Sequence, residues 1–192
     1  MISMIACVDV DYENTRAVAA GIAFRDWLDD SVVAERVVSL SDIQPYQSGQ
    51  FFIRELPCLL AVLRFLPPVQ IVLIDGYVWL EENRPGLGAY LYESFDSRVP
   101  VIGVAKTRYR GAECVQEVVR GRSRQPLYIS AVGLTVPQAA EQVLSMRGSY
   151  RIPTLLKNVD LLSRGKEQPF NPKQRAMSLL QISDERYRLQ VY

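Results

Sequence analysis

The stretch IACVDVDY, residues 5–12, is central to the predicted fold, because its β-prone apolar residues form the first strand of the sheet. The same strand carries a carboxylate, Asp9. A second apolar run, IVLIDG at residues 71–76, carries Asp75 near its end. A buried ionised carboxylate is costly unless a cation or several donors compensate it, so acids set in apolar strands indicate a bound metal. Alternation along the first strand places Asp11 on the same face as Asp9, so the spacing leaves both acids as candidates.

A third carboxylate, Glu55, lies in the segment PYQSGQFFIRELP, residues 45–57. It shares a helical stripe with Phe52 and Leu56 if a helix has already begun there, whereas Pro57 in the first turn would leave Glu55 at the start of that helix. Two or three carboxylates can hold Mg²⁺ or Mn²⁺, which prefer oxygen ligands. The three acids therefore favour a metal-dependent phosphodiesterase.

Length and composition indicate one domain with a small appendage. The chain has 192 residues, 48% of them hydrophobic, which is enough for one buried core and too little for two ordinary domains. The formal net charge of +1 creates no global field toward nucleic acid or an anionic membrane, so a polyanion must meet a local patch. The sequence has no secretory pattern and no apolar run of membrane-spanning length, so we expect a cytoplasmic protein.

Histidine is absent from the sequence, and this excludes several kinds of active site. A Ser-His-Asp triad, a Cys-His pair and a histidine-ligated zinc site all need an imidazole. The three cysteines, Cys7, Cys58 and Cys114, lack metal-ligand spacing, so we expect buried free thiols in a reducing cytosol. Oxygen-ligated Mg²⁺ needs none of these groups.

Hydrophobic periodicity predicts an antiparallel meander followed by alternating helices and strands. The meander consists of strands over residues 2–12, 17–24 and 33–39. The later elements are predicted as a helix over 50–66, a strand over 70–74, a helix over 85–94 with Pro85 in its first turn, a strand over 101–105, a helix through about residue 146 opened by the capping box of Thr135 and Gln138, and a helix over 153–163.

These elements predict an α/β fold with a mixed five-stranded sheet, three strands antiparallel and then two parallel, flanked by helices. A right-handed crossover brings the strand over 70–74 beside the first strand, so that Asp9 and Asp75 approach each other at one edge. We assign residues 1–164 to this domain. Residues 165–192 form a tail with a short amphipathic stretch that suits docking on the core or on a partner.

Several motifs resemble the endonuclease V family, whose members share a ribonuclease H-like fold. The resemblance is continuous across PYQSGQFFIRELPCLL at 45–60, the region 75–92 and GVAK at 103–106. It is weaker across LYISAVGL at 127–134 and GSYRIP at 148–153. Together these motifs cover most of the predicted domain and leave the tail unexplained.

The resemblance implies an endonuclease of nucleic-acid repair that hydrolyses a phosphodiester bond near a deaminated base, deoxyinosine in DNA or inosine in RNA. It implies that Asp9, Glu55 and Asp75 bind Mg²⁺, or Mn²⁺, and are catalytic. It also places Lys106, at the end of GVAK, near the scissile phosphate as a fourth catalytic residue. A lysine ammonium there would stabilise the charge of the transition state.

The resemblance also implies where the substrate is held. One family segment separates the nucleic-acid strands and presents the modified base to a pocket. Its counterparts here are Pro45, Tyr46, Gln47, Ser48 and Gly49, and further substrate contacts are implied at Gly76 and Gly133.

The chain departs from the family pattern at positions that bear on activity. The family usually reads PYIP where this chain has Gln47 and Ser48, and it has histidines where this chain has Glu81, Tyr90 and Gly133. Glu81 keeps a carboxylate that can ligate a metal, whereas Gly133 has no side chain to support one. Three hypotheses follow: an active endonuclease, a nuclease with a changed substrate, and a weakened homologue that binds nucleic acid or a protein partner.

A basic run over residues 106–110, followed by Arg120, Arg122 and Arg124, is either a solvated face or a surface that tracks phosphates. Tyr109 within the run favours the second reading, because aromatic rings among cations suit nucleic acid. The family resemblance implies that the partner is DNA, or RNA, and we expect a monomer that does not bind a membrane.

Overall fold

A mixed β-sheet with helices on both faces forms the protein in the computed structural model, which describes residues 4–13, 16–41, 43, 51–95 and 98–166. The strands are β1 (Met4–Glu13), β2 (Arg16–Phe24), β3 (Ala34–Leu40), β4 (Val69–Asp75), β5 (Trp79–Glu81), β6 (Arg84–Pro85), β7 (Val101–Ala105), β8 (Gln116–Val118) and β9 (Leu127–Val132). The helices are α1 (Phe51–Leu63), α2 (Leu87–Glu93), α3 (Val136–Ser145) and α4 (Thr154–Ser163).

Strand pairing confirms the predicted α/β class with a mixed sheet. Strands β1, β2 and β3 form an antiparallel meander, and β4 pairs in parallel with both β1 and β7. Antiparallel β9 and β8 follow, so the main sheet in the described part of the chain has seven strands in the order β3-β2-β1-β4-β7-β9-β8. The expected number of five was too small, because a short apolar run such as that of β9 does not by itself distinguish a strand from a helix.

The segment before α2 differs from its prediction. Pro85 does not lie in the first turn of a helix over 85–94; it belongs to β6 and pairs with Trp79 of β5, and α2 begins after it. Gly86 fits this tight connection, because a Cβ there would lie 2.6 Å from the carbonyl oxygen of Tyr77. A proline at a short strand edge loses no ladder hydrogen bond, so propensity alone did not separate the two placements.

Helix α1 resolves the alternative left open for Glu55. The helix begins at Phe51 and continues through Pro57, so Glu55 is an interior residue of the helix and does not lie at its start. A proline inside a helix removes one backbone hydrogen bond. Burial of Leu59 and Val62 against the sheet offsets that loss and keeps the helix intact.

Each face of the sheet carries its own hydrophobic core. One core joins Cys7 of β1 and Leu73 of β4 to Leu155 of α4, and the other joins Val8 of β1 to Leu59 of α1. Successive side chains of a strand point to opposite faces, so odd-numbered residues of β1 and β4 face α4 and even-numbered ones face α1. This alternation sets the direction of every polar side chain at the ends of the two strands.

The cysteines follow the expectation of free thiols only in part. All three are free, and Cys7 and Cys58 are buried, but Cys114 is exposed, which corrects the prediction for that residue. Burial, followed by the charge of Glu55, raises the pKa of Cys58 to about 12, so this thiol stays protonated. Among the described residues, no helix combines the length and apolarity that crossing a bilayer requires.

Arg120, expected on an exposed basic face, is instead a buried residue at the end of β8. Its guanidinium donates hydrogen bonds to the carbonyl oxygens of Leu144 (3.4 Å), Tyr150 (3.3 Å) and Met146. These carbonyls belong to the end of α3 and the turn that follows it. Arg120 therefore holds α3 and the approach to α4 against the sheet, while Arg122 stays exposed as predicted.

Replacing Arg120 by alanine should destabilise the fold strongly. The change leaves several carbonyl oxygens without a donor, and we expect a loss of roughly 3 kcal/mol in the free energy of unfolding, measured by urea denaturation. The matched change Arg122→Ala, at an exposed site two residues away, should alter stability by less than about 0.5 kcal/mol. Equal effects of the two changes would contradict this role for Arg120.

Candidate active site at the carboxyl edge of the sheet

Asp9 and Asp75 meet at one edge of the sheet because they occupy neighbouring parallel strands. The last paired residues of β1 and β4 are Val8 and Ile74, and each acid follows directly after one of them. Parallel strands bring their carboxyl ends to the same edge, and both acids continue the set of side chains that faces α4. Asp9 rather than Asp11 lines the cleft at this edge, which resolves the alternative left by the spacing.

Lys106 reaches these acids from the end of β7, the strand that neighbours β4. It follows β7, and its Nζ lies 2.6 Å from Oδ2 of Asp75. Burial lowers the pKa of Lys106, but the hydrogen bond and charge of Asp75, with smaller contributions from Asp160 and Asp9, outweigh burial and raise it overall. The ammonium is therefore held in its charged form beside the acids.

Asp9 is held from α4. Oγ of Ser163 donates a hydrogen bond to Oδ2 of Asp9 at 2.7 Å and lies 2.9 Å from the carbonyl oxygen of Asp160. The pKa of Asp9 is raised, first by burial and then by the charges of Asp75 and Asp160, against the opposing effects of Ser163 and Lys106. The groups around Asp9 therefore do not fully compensate the negative charge of its carboxylate.

Glu55 approaches the same edge from α1 and is almost fully buried, with 5% of its surface exposed. Its Oε2 has no hydrogen-bond partner. Burial raises its pKa well above the ordinary value, and the charges of Asp9 and Asp75 raise it further, while Arg54 lowers it. A buried carboxylate oxygen without a partner is rare in a stable protein and marks a place where a cation fits.

Asp160 is a fourth carboxylate at this edge, which the sequence reasoning missed. It lies on α4 and is 8% exposed. Oδ2 accepts from Nζ of Lys157 at 2.5 Å, and Oδ1 lies 2.9 Å from a guanidinium nitrogen of Arg164. Burial alone would raise its pKa, but Lys157, Arg164 and Lys106 outweigh burial and lower it. The available signal was an acid one helical turn after Leu156, on a stripe that the pattern marked as apolar.

One open cleft lies between the sheet edge and α4, and Asp9, Asp75, Asp160 and Lys106 border it. Its lining combines three carboxylates, three cations and six apolar side chains. Its lining residues are Val8, Asp9, Ile74, Asp75, Val104, Lys106, Ile152, Leu156, Lys157, Val159, Asp160 and Arg164.

The donor set suits a hard divalent cation, although the acids are engaged with other groups in this arrangement. In the described part of the chain, no three acidic or thiol side chains converge closely enough to hold one ion. Lys106 donates a hydrogen bond to Asp75, and Ser163 donates one to an oxygen of Asp9. The free oxygen of Glu55 and the raised pKa values of Glu55 and Asp9 are the features that a bound Mg²⁺ or Mn²⁺ would relieve. The oxygen ligands present therefore suit such a metal. For Asp75 to bind it, the ammonium of Lys106 would have to move away from that carboxylate.

The predicted substrate-binding residues lie in different places. Gly76 follows Asp75 at the cleft with a φ of 113°, a conformation that favours glycine. Gly133 is not brought into the cluster: it follows the residue of β9 that pairs with Val101 at the start of β7, while Lys106 follows the other end of β7. It packs against Pro100, so the geometry supports no substrate contact there. Residues 45–49, the predicted strand-separating segment, lie outside the described residues.

Two of the residues that stand where the family has histidines lie away from the cleft lining. Glu81 pairs with Arg84 across the β5–β6 hairpin at 3.4 Å, and Tyr90 stacks on Phe52 with ring centroids 3.8 Å apart. Neither borders the cleft. The prediction that Glu81 keeps a metal-binding role therefore has no support in this arrangement.

The loop that carries Lys106 is held by two residues that the sequence reasoning also missed. The hydroxyl of Tyr77 donates to the carbonyl oxygen of Thr107 at 2.7 Å and accepts from the backbone N–H of Tyr109 at 2.9 Å. Arg151 donates to the carbonyl oxygens of Lys106 and, at 2.8 Å, Pro126. Both contacts join segments far apart in sequence, so no local pattern predicts them.

Comparison with known proteins identifies the family. The sequence profile of Endonuclease V matches residues 1–161. The chain belongs to the endonuclease V family. Endonuclease V from Streptomyces coelicolor is 33% identical over 181 residues, an alignment that covers 82% of this chain and 76% of the relative. The family resemblance inferred from the motifs is thus confirmed, and its relatives are nucleases.

Solved structures of the family have the same fold. Endonuclease V from Streptomyces avermitilis superposes with a TM-score of 0.69 and 26% identity, covering 85% of this chain and 80% of that one. Endonuclease V from Ciona intestinalis, solved in complex with a 23mer DNA containing an inosine followed by a ribo-adenosine, gives a TM-score of 0.71 at 19% identity, covering 85% and 84%. These neighbours confirm the predicted fold class.

Without metal, the Glu55→Gln protein should be more stable than wild type, by a margin that grows as pH rises. The pKa of Glu55 is raised in the folded state, so above the ordinary pKa of about 4.3 the unfolded chain gives up this proton while the folded protein retains it. Wild-type stability therefore falls as pH rises from there toward the folded pKa, and glutamine removes that dependence. Thermal unfolding in EDTA across this pH range measures the difference.

The control for this experiment is Glu82→Gln, which changes an exposed glutamate on the β5–β6 hairpin. We expect its unfolding temperature to follow that of the wild type at every pH. Glu55→Gln and wild type should also converge below about pH 4, where both states are protonated. A Glu55→Gln protein that is less stable than wild type at neutral pH would contradict the assignment of Glu55 as an uncompensated acid.

Proposed function

We propose that this protein is a metal-dependent endonuclease of nucleic-acid repair that hydrolyses a phosphodiester bond near deoxyinosine in DNA, or near inosine in RNA. The observation that carries the proposal is the meeting of Asp9, Glu55, Asp75 and Asp160 with Lys106 at one sheet edge. Family membership supports the reaction, and the inosine-containing DNA bound to the Ciona intestinalis relative supports the substrate class.

The metal would be held by Asp9 and Asp75, with Glu55 and Asp160 as further oxygen ligands. Mg²⁺ is the expected ion, and Mn²⁺ binds the same kind of ligand. When bound, such an ion activates water for attack on the phosphorus and stabilises charge on the leaving oxygen. Oδ2 of Asp9 accepts a hydrogen bond from the hydroxyl of Ser163. The hydroxyl of Ser163 thereby fixes the orientation of the carboxylate.

Lys106 would bind the scissile phosphate through its ammonium group. Its ammonium pairs with Asp75 when no other cation is near, and neutralisation of Asp75 by a metal would free it to turn toward a phosphate in the cleft. Its raised pKa keeps it charged at neutral pH. A fixed positive charge beside the scissile phosphate stabilises the charge that develops in the transition state.

A second candidate function is a homologue that binds nucleic acid or a protein partner and cuts weakly or not at all. The ion pair between Asp75 and Lys106 favours it, because Asp75 is already neutralised without a metal. The residues in place of the family histidines also lie away from the cleft lining, as Glu81 and Tyr90 do. The two candidates differ in whether Asp75 is needed for metal binding and cleavage.

Cleavage of end-labelled duplexes with and without one deoxyinosine tests the proposed function. We expect wild type to cut the deoxyinosine duplex in Mg²⁺ or Mn²⁺ and not in EDTA. Asp75→Ala should lower the rate by about 10³-fold or more, and Lys106→Ala by about 10²- to 10³-fold, since each removes a charge at the reacting phosphate. Glu82→Gln, at an exposed site on the β5–β6 hairpin, serves as the control and should cut at the wild-type rate.

Calorimetric titration with Mn²⁺ separates the remaining outcomes. Binding that is lost in Asp75→Ala, without cleavage of deoxyinosine DNA or inosine RNA, would support a metal-dependent nuclease with another substrate. Absence of both ion binding and cleavage would overturn the proposal in favour of the binding-only homologue.

Tyr77→Phe should lower the cleavage rate by about 10-fold without unfolding the protein. The change removes both hydrogen bonds by which this hydroxyl holds the loop carrying Lys106, and a combined loss of about 1.4 kcal/mol corresponds to about 10-fold in rate. Single-turnover rates with saturating duplex measure the effect. The control is Tyr92→Phe, at the other end of the sheet, which should leave the rate unchanged; an unchanged rate in Tyr77→Phe as well would refute the positioning role.

A further inference from the structure

Two cations flank the cleft from the α4 side, Lys157 in the helix and Arg164 directly after it. Lys157 and Arg164 both border the cleft and both pair with Asp160, at 2.5 and 2.9 Å. Their side chains are half exposed, 52% and 48%, whereas that of Asp160 is 11% exposed. The carboxylate is thus fixed in place, and the two cations reach from it into solvent.

This group carries more positive charge than Asp160 needs. One guanidinium suffices to pair with one carboxylate, yet each oxygen of Asp160 has its own cation, so the group has a surplus of one positive charge. Lys157 and Arg164 stand two turns apart on the helix, about 10 Å along its axis. They can therefore contact different phosphates of one strand.

A purely structural role explains the two cations poorly. Each cation is half exposed and Asp160 keeps a partner when one of them leaves, so one side chain can turn to another anion while the other stays paired. A guanidinium binds phosphate through two parallel hydrogen bonds, and an ammonium binds it as a point charge. The two residues thus combine an internal contact that either can leave with a strong capacity for phosphate.

Among the described residues, the cations that line this cleft are Lys106, Lys157 and Arg164. The formal net charge is +1, so attraction must be local. Arg120, expected on a basic face, is buried and bound to backbone carbonyls. Lys106 stands at the sheet side of the same cleft, so with Lys157 and Arg164 it places positive charge on both sides of any strand lying there.

We infer that Lys157 and Arg164 form a phosphate-binding site for the nucleic-acid backbone on the α4 side of the cleft, next to the phosphate that Lys106 serves. The inference rests on the proposed function for its ligand, a nucleic acid. Phosphate contacts position a duplex without reading its bases, so the site acts equally on substrates with and without deoxyinosine.

The salt dependence of DNA binding tests this site without any cleavage. Fluorescence anisotropy with a short labelled duplex lacking deoxyinosine, in EDTA and between about 50 and 200 mM salt, gives the slope of log K against log salt. Each lost phosphate contact reduces the steepness of that slope by about 0.9. We expect a reduction near this value for Lys157→Gln and for Arg164→Gln, and retention of the wild-type slope for Lys157→Arg.

The matched control is Arg98→Gln. Arg98 pairs with Glu93 at 3.1 Å and is 60% exposed, so the change removes the same charge from a similar ion pair. It precedes β7 and therefore lies at the opposite end of that strand from Lys106. Its slope should match the wild type. A similar reduction in Arg98→Gln would show a general charge effect and overturn the site.

The remaining outcomes are also decisive. Lys157→Gln leaves Arg164 paired with Asp160, so the carboxylate of Asp160 stays neutralised in this variant. Its unfolding temperature verifies that it folds. A folded Lys157→Gln protein with the wild-type slope, or a wild type that does not bind DNA at low salt, overturns the inference. Reduced slopes in a protein that fails to cut any deoxyinosine duplex would leave the phosphate site standing and reject only the cleavage.

Discussion

The parallel pairing of β1 with β4 is the constraint on which the candidate active site depends. It forces Asp9 and Asp75 to the same edge of the sheet, where α1 adds Glu55 and α4 adds Asp160. The negative charges of these carboxylates disfavour one another, and burial of Asp9 and Glu55 adds the cost of lost hydration. The surrounding cations follow from that cost: Lys106 pairs with Asp75, and two residues of α4 pair with Asp160, while Glu55 keeps an unpaired oxygen.

The absence of histidine shapes the chemistry of this edge. In place of an imidazole, this edge has two carboxylates whose pKa values are raised by burial first and by neighbouring carboxylate charge second, Glu55 and Asp9. Such groups are stabilised in their charged form by a divalent cation, and they contribute least to stability when no cation is present. The raised pKa values therefore belong to carboxylates whose charged forms destabilise the fold when no cation is near.

Long polar side chains, rather than regular structure, position the parts of the site that leave the sheet. Tyr77 and Arg151 hold the loop of Lys106, and Arg120 holds the end of α3 near the start of α4. All three bind backbone carbonyls of segments remote in sequence. The arginines of this chain therefore serve different purposes, and composition alone grouped a buried structural residue, Arg120, with exposed ones. Only the partners of a guanidinium distinguish the two roles.

The sequence by itself determined the mixed α/β class, the antiparallel meander, most helix positions and the placement of Asp9 and Asp75 at one edge, because each follows from local periodicity and the direction of parallel strands. It did not determine β8, β9 or the start of α2, where short apolar runs and a proline fit more than one structure. Tertiary structure alone decided that Glu55 is an interior helical residue, that Asp160 and Ser163 complete the cluster, and that Gly133 lies at the opposite end of β7 from Lys106. These outcomes depend on contacts between segments that the chain brings together only when it folds, so no pattern within one segment contains them.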